Sequence, residues 1–584
     1  MLNSTNLLTQ KLNTMNIAIP QQPPVTTTVD SPNPALHGNL LSAYLNTLAM
    51  INTPVVKQAQ KTVQLPYKND LRKLMMNNEA KILAIIPRTF NAKDTNGDDF
   101  IDCRSEQQGT FLNAIDRLDE VKEQGYNTLH ILPVNTPGKT NAMGTAGSVY
   151  SPKDLLEIDP VLADPSDPRP AIEQFKTFID ECHKRGIRVM LDLPSCASDD
   201  MFNEKPELMA IEANGLAKTP QGWKDIKMFQ PWEDEGKRTL NPKLLELHKD
   251  FVDMCIDLGI DGIRADVSRA KPVEFWDVII PYSRKRDPQF GWLAETYTYE
   301  DASPQANMPA DRPEDSLRAG FDMIYGQYHI FHEYSTASEF LDYVKQNLEM
   351  SYRLPKGKSL IGSFATHDDI SPMFHGGADY CKMTSVLQAT LPMLNPYFVD
   401  GFQSGDYYLY KYGNEKLKPE LSKLPELSAT GNSKMEVHHG KMDIFNLSRK
   451  PGGNDKSIGE FNTACFKVKD KYKDIINKGS LIELEKTDDK NDQIITYARH
   501  YEGKTLLIVA NKNVNRSVAC KIKVPTLKSS QELDNLVPSY GKESILQVSD
   551  NELSVVLGAG RAHIFEIDTP NIENYTNKIF KQNL

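Results

Sequence analysis

From about residue 80 onward, short apolar runs alternate with amphipathic stretches. The runs are ILAIIP (82–87), TLHILPV (128–134), IRVMLDLP (187–194), DGIRADV (261–267), FGWLAET (290–296), GFDMIYG (320–326), SLIGSFATH (359–367) and MLNPYFV (393–399). Near-continuous apolar runs separated by helical periodicity mark parallel strands buried on both faces and joined by crossover helices. Eight of them in series predict an α/β chain folded as a (β/α)8 TIM barrel. In 169–186, Ile172, Phe175, Ile179 and Cys182 recur at helical spacing, with Pro170 suited to the first turn and Gly186 to the stop. Residues 241–259 repeat the device with Pro242 and Gly259.

The barrel is expected over residues 66–484. The stretch 194–240 is too long for an ordinary connection and predicts a small inserted subdomain after strand 3. Past residue 485, the pieces DQIITYARH, KTLLIVANKN, VACKIKVP, ESILQVSD, LSVVLGAG and RAHIFEID are β-rich and punctuated by turn residues. They predict a C-terminal antiparallel β-sandwich over 485–570, followed by a loose polar tail, 571–584. Residues 1–65, with the run PQQPPVTTTVDSPNP (20–34), bury too little apolar surface to offset ordering and are expected to be mostly disordered. Within them, LLSAYLNTLAMI (40–51) suits a short docking helix.

Composition narrows the function classes. A net charge of −11 argues against a phosphate-tracking surface, so no nucleic-acid partner is expected. No apolar run approaches the ~18–20 residues of a membrane-spanning helix, and the opening MLNSTNLLTQKLNTMNIAIP lacks the parts of a secretory signal. The 7 cysteines are scattered and contain no CxxC, which predicts neither a disulfide framework nor a zinc site and fits a reducing cytoplasm. Oligomeric state is left open.

In a (β/α)8 barrel, polar residues at the C-terminal ends of the strands converge on one mouth. Here those ends carry Asp192 (strand three), Arg264 and Asp266 (four), Glu295 (five), and Thr366, His367, Asp368 and Asp369 (seven). Carboxylates ending buried strands are costly unless paired or used. A carboxylate pair suits glycoside chemistry, one attacking the anomeric carbon while a protonated partner donates to the leaving oxygen. Arg264, two residues before Asp266, points to the same face of its strand and favours the ionised form of that carboxylate.

These residues are also recognisable. GIRADVSRA (262–270) resembles the nucleophile strand of the alpha-amylase superfamily, the family 13 glycoside hydrolases. WLAET (292–296) resembles its acid/base strand, FATHDD (364–369) its last catalytic motif, and VMLDLP (189–194) the strand ending in a structural Asp. YSPKDLLEIDP (150–160) resembles the stretch whose Tyr stacks on sugar, and GFQSG (401–405) the motif after strand eight. The resemblance implies Asp266 as nucleophile, Glu295 as general acid/base and Asp368 as transition-state stabiliser. It implies Tyr150 as stacking platform, with Asp192, Arg264 and His367 as sugar-site contacts. The retaining mechanism it implies places the Asp266 and Glu295 carboxyls about 5–5.5 Å apart.

A subgroup, the maltosyltransferases that use maltose 1-phosphate, carries a Lys-Pro pair after the nucleophile, then Phe-Trp, then Leu-Ala-Glu-x-x-Thr. Lys271-Pro272, Phe275-Trp276 and LAETYT (293–298) resemble it and mark Lys271 as a further substrate-binding candidate. Four positions depart from these patterns: Cys196 and Ala197 replace the usual Asn-His after strand three, Thr366 replaces Asn, and Val267 replaces the subgroup's Asn. Asp369 offers a second register for the stabiliser.

After strand one, DTNGDDFID (94–102) places oxygen donors at Asp94, Asn96, Asp98 and Asp102, with the Phe100 carbonyl between, in the alternate-residue spacing of a hard-cation loop. It resembles the calcium loop many family members carry, which implies a structural Ca2+ and no organic cofactor.

The expected function is a retaining hydrolase or transglycosylase acting on α-1,4-glucans such as glycogen, starch or maltooligosaccharides. The alternatives are maltosyl transfer from maltose 1-phosphate and, from another class, an inactive carbohydrate-binding scaffold. A calcium-loop adhesion protein does not suit the barrel pattern.

Overall fold

The structure is a computed structural model describing residues 67–97, 101–103, 105–142, 147–220, 223, 225–298, 308–369, 371–406, 447–448 and 455–584. The expectations for residues 1–65, including the segment 40–51, lie outside the described residues.

The parallel strands are β1 (Ile82–Ile85), β2 (Thr128–Ile131), β3 (Arg188–Leu193), β4 (Gly262–Ala265), β5 (Gly291–Ala294), β6 (Met323–Ile324), β7 (Ser359–Ile361), β8 (Leu394–Asn395) and β9 (Tyr397–Val399). Each neighbours the next in chain order except where Pro396 interrupts the last run. There β8 pairs with β7 and β9 with β1, so one run, split by a residue without an N–H, closes the barrel. All eight runs form strands.

A floor helix, α1 (Leu71–Met76), precedes the barrel. Helices then follow the strands in turn: α2 (Leu118–Glu123), α3 (Ala171–Lys184), α4 (Pro242–Leu258), α5 (Val273–Arg286), α6 (Pro313–Ala319), α7 (Ala337–Ser351), α8 (Met373–Thr390) and α9 (Lys456–Lys471). A short α10 (Lys473–Lys478) leads to the second domain. In α4, Pro242 occupies the first turn, the Asn241 side chain caps it, and Gly259 ends it in the left-handed region at φ 93°. In α3, Pro170 stands at the cap and Ile172 is exposed, a correction to the expected stripe. Phe175, Phe178, Ile179 and Cys182 form the buried face, and Ile172 lies off it.

Alternate residues of the strands face the barrel axis. Ile82, Ala84, Leu132, Met190, Leu293, Met323, Tyr325, Ile361, Tyr397 and Val399 pack there, closed from below by Leu71 and Met75 of α1. The floor bears on two glycines. A Cβ on Gly262 would lie 2.6 Å from the Gly291 carbonyl oxygen and 2.9 Å from Leu71 Cδ2, and one on Gly291 would lie 2.7 Å from Met75 Sδ. Stepping by two from these glycines along β4 and β5 reaches Arg264 and Asp266, and Leu293 and Glu295.

The insert after β3 pairs Cys196–Ala197 with Lys227–Met228 and Trp232–Asp234 with Thr239–Leu240. Trp223 is half-buried between this insert and the barrel interior, and Trp232 lies beside Arg238.

Two antiparallel sheets close the chain. One is ordered β17-β13-β12-β10-β18, the other β11-β14-β16-β15. They comprise β10 (Ser480–Glu483), β11 (Lys486–Thr487), β12 (Ile494–Tyr501), β13 (Lys504–Asn511), β14 (Val518–Lys523), β15 (Ile545–Ser549), β16 (Glu552–Leu557), β17 (Ala562–Ile567) and β18 (Ile579–Phe580). Their shared core includes Ile482, Leu507, Ile522, Leu553 and Phe565. This first sheet starts at Ser480, ahead of the expected boundary, and the tail is not loose. Phe580 and Ile579 pair with Leu481 and Ile482, and Asn583 donates to the Ser351 and Leu354 carbonyls.

Among the described residues no helix is long and apolar enough to cross a membrane. All seven cysteines are free and buried.

Candidate active site

The site is built around one fully buried guanidinium. Arg264, facing inward from β4, donates from Nη1 to Asp192 Oδ1 at 2.8 Å and to Asp266 Oδ1 at 2.9 Å. Its Nη2 donates to Glu295 Oε2 at 2.7 Å, and its Nε to the Tyr325 hydroxyl at 3.0 Å. The carboxylates ending β3, β4 and β5 thus meet on one cation, as the strand-end pattern predicts.

Backbone donors complete the carboxylates. The Ser195 N–H donates to Asp266 Oδ2 at 3.2 Å, and the Val267 N–H to Glu295 Oε2 at 2.7 Å. The Tyr297 hydroxyl donates to Glu295 Oε1 at 3.2 Å. To aim its N–H, Val267 takes φ 32° and ψ 61°, a left-handed conformation that is rare for a β-branched residue.

Three carboxylates share one guanidinium, and Asp192 and Asp266 respond in opposite senses. Burial alone would lift Asp192, but Arg264 and the hydrogen bond from His130 outweigh it and hold the carboxyl below its usual range. Asp266 goes the other way. Burial pushes its carboxyl well above the ordinary range, with Glu295 and Asp192 adding to the rise against the pull of Arg264. This corrects the expectation that Arg264 simply keeps Asp266 ionised, because burial outweighs the guanidinium's pull.

The β7 end supplies the facing wall. His367 Nε2 lies 2.9 Å from the Tyr150 hydroxyl, which itself donates to Asp192 Oδ2 at 2.8 Å, and 3.4 Å from Asp368 Oδ2. The Tyr150 and His367 rings are nearly parallel, and burial lowers the His367 pKa. Asp369 Oδ2 is occupied by the Thr366 N–H and hydroxyl at 3.0 and 2.9 Å, whereas Asp368 faces His367.

Lys271 is placed differently from a sugar contact. It is buried, its ammonium donates to the Ser195 carbonyl at 3.0 Å, and the rings of Phe229 and Phe275 flank it. It braces the loop whose next atoms hold Asp266, and burial brings its pKa down to about 8. Of the cation loop, Asp98 and Phe100 lie outside the described residues. Asp94 Oδ1 accepts the Gly97 N–H at 2.6 Å, Asn96 stands in the same bend, and Asp102 pairs through its backbone with Leu447.

His130, Tyr297, Tyr325 and Tyr397 join the site without having been singled out in the sequence. For His130, the signal was a lone polar residue inside the apolar run TLHILPV.

No family model matches the chain. Among curated proteins, an alpha-1,4-glucan:maltose-1-phosphate maltosyltransferase of Cereibacter sphaeroides is 26% identical over 311 residues, covering 49% of this chain and 47% of the relative. One of Picrophilus torridus is 22% identical over 479 residues, covering 79% of this chain and 68% of that protein. The chain spans about half the length, or less, of the first relatives it matches. Among solved structures, a maltogenic alpha-amylase from Thermotoga neapolitana aligns with a TM-score of 0.60 at 18% identity, covering 85% of this chain and 100% of that one. An alpha-amylase from Lactobacillus plantarum gives 0.60 at 18%, covering 84% and 99%. The chain has the fold of these alpha-amylases, and in sequence it resembles the maltose-1-phosphate maltosyltransferases.

Proposed function

We propose that this protein is a retaining glycoside hydrolase or transglycosylase acting on α-1,4-glucans. The observation that carries the reading is the convergence of Asp192, Asp266 and Glu295 on the buried Arg264 guanidinium at the C-terminal ends of their strands. Asp266 attacks the anomeric carbon while Glu295 protonates the departing glycosidic oxygen, so the C–O bond breaks as a glycosyl ester forms. Water or a sugar hydroxyl then attacks that ester and gives its proton to Glu295, freeing Asp266. The attack uses the ionised form of Asp266, which the Arg264 guanidinium and the Ser195 N–H favour. Asp368 stabilises the positive charge developing on the sugar, Tyr150 stacks on the ring, and His367 and Asp192 hold hydroxyls. The capture of Asp369 by Thr366 favours Asp368 as stabiliser.

Maltosyl transfer from maltose 1-phosphate is the second reading. It is favoured by the maltosyltransferase relatives together with Lys271-Pro272, Phe275-Trp276 and LAETYT (293–298). Incubation with maltooligosaccharides, with and without inorganic phosphate, separates the readings. Shorter sugars alone mean hydrolysis, redistributed lengths mean transfer, and maltose 1-phosphate means the second reading. No product under any condition would instead indicate a carbohydrate-binding scaffold.

A structural Ca2+ at residues 94–102 belongs to the same reading and is supported by the donor spacing Asp94, Asn96, Asp98, Phe100 and Asp102. Calorimetric titration of chelator-stripped protein should show binding that Asp98→Ala weakens, and no heat in the parent would dispose of it. Seven free cysteines suit a reducing compartment such as the cytoplasm.

A further inference from the structure

Beneath the carboxylates lies a buried polar layer where a barrel of this kind ordinarily packs branched apolar side chains. Its members come from five strands: His130 (β2), Asp192 (β3), Arg264 (β4), Tyr325 just after β6, and Tyr397 (β9). All are essentially inaccessible to solvent. The direction of every hydrogen bond in the layer follows from the chemistry of its two ends. Arg264 can only donate, and its Nε gives a proton to the Tyr325 oxygen at 3.0 Å. Beside Tyr325, the Tyr397 hydroxyl lies 2.9 Å from His130 Nδ1. At the far end, the ionised Asp192 can only accept, so His130 Nε2, 3.2 Å from Asp192 Oδ2, must carry the hydrogen. Asp192 also accepts from Arg264 Nη1 at 2.8 Å, and in the neutral imidazole Nδ1 is the acceptor for the Tyr397 hydroxyl.

The geometry points to His130 as a positioning residue, a neutral Nε2–H tautomer that links the Tyr397 hydroxyl to Asp192 and so orients Asp192 and Arg264 beneath the carboxylate pair. Held between Tyr397 and Asp192, the imidazole fixes the carboxylate that receives Arg264 Nη1, and with it the guanidinium that reaches Asp266 and Glu295. The assignment of catalytic roles to that pair rests on the proposed function; the hydrogen-bond chain itself does not.

The charged and titratable groups around the imidazole are Asp192 on β3, Arg264 on β4 and Glu295 just after β5, with Tyr397 and His367 completing its surroundings. Burial lowers the imidazole's pKa, which agrees with a neutral ring.

Two measurements on the full chain test this. The first uses protein carrying nitrogen-15 in histidine, with the His130 signals identified by their loss in His130→Gln. The ring should stay in the Nε2–H form, with Nδ1 unprotonated, across about pH 5 to 9. An Nδ1–H form, or a titration midpoint near the ordinary value of about 6.5, would overturn the inference whether or not the protein turns over glucans. The second compares kinetics, on a maltooligosaccharide substrate. His130→Phe should lower kcat about 10–100-fold with KM nearly unchanged. Its acid limb should move to higher pH, because Asp192 has lost a donor that stabilises its ionised form. His130→Gln keeps an N–H for Asp192 and should recover most of the rate and restore the limb. Equal losses in both variants with the limb unmoved would reduce His130 to packing and sink the proposal, whereas absence of turnover in the parent would count against the proposed function alone.

Discussion

Arg264 grips Asp266 and Glu295 with different arms of one guanidinium, Nη1 at 2.9 Å from the first and Nη2 at 2.7 Å from the second. A lysine at this position keeps the charge but offers a single point of attachment. Arg264→Lys should therefore separate the two carboxylates functionally, lowering kcat about 10²–10³-fold. A variant that retains the parent rate would mean that the pair is oriented by other contacts.

The roles proposed for the two acids differ in how they depend on the leaving group. Asp266→Asn should cost at least about 10⁴-fold in turnover on every substrate, with an unchanged circular dichroism spectrum. Glu295→Gln should spare the first step with glycosyl fluorides, which leave without protonation, while failing on oligosaccharides. Equal failure of Glu295→Gln on both substrate classes would count against the acid role.

Val267 holds φ 32° so that its N–H can reach Glu295. Asparagine tolerates that region better, and its backbone N–H is the same. Val267→Asn should relieve about 1–2 kcal/mol of strain, offset in part by lost apolar packing. Differential scanning calorimetry should show a thermal midpoint raised by about 1–3 °C. A lowered midpoint would mean that the packing outweighs the strain.

Arg499 is wholly buried and donates to the Ser480, Thr390 and Gly479 carbonyls at 3.3, 3.0 and 2.7 Å, so it satisfies the C-terminal ends of α8 and α10 at once. Burial brings its pKa down to about 10, so it remains charged at neutral pH. Arg499→Met leaves three carbonyls without a donor and should destabilise the protein by about 3–5 kcal/mol. Denaturant unfolding followed by fluorescence would measure it, and a loss below about 1 kcal/mol would contradict the capping role.

His563, buried in the sandwich beside the Ser544 hydroxyl, has its pKa lowered to about 4 by burial and by Arg561. The folded form therefore resists a proton that the unfolded chain accepts near pH 6.5. Its contribution to stability is fully present above that value and is lost as pH falls from about 6.5 to about 4, to the extent of roughly 3 kcal/mol. His563→Gln should flatten the decline of the thermal midpoint over that window, and an unchanged slope would show that other groups govern it.

The barrel was legible because each strand is an apolar run bounded by turn residues and each long helix carries its own start and stop signals. Less legible were features that depend on partners distant in sequence. Ser480–Glu483 runs directly out of a helix and reads as its continuation until Arg499 and Phe580 are seen beside it. Ile172 has the spacing of a buried residue but lies off the face that meets the barrel. The carboxylates could be found because strand ends share one mouth whatever their neighbours. The link from Tyr397 through His130 to Asp192 could not, since β9 reaches its place in the barrel only when Pro396 lets the last run join both β7 and β1.

Leu71 and Met75 occupy the space that side chains on Gly262 and Gly291 would need. The two strands that end in Asp266 and Glu295 are therefore seated on the same short helix, and each acid stands only two pleats above its glycine. The acids at the open end consequently inherit their alignment from a keel at the closed end. Evolution or an engineer wishing to enlarge Gly291 would first have to whittle that keel, and at Gly262 would also have to shift the neighbouring strand's backbone.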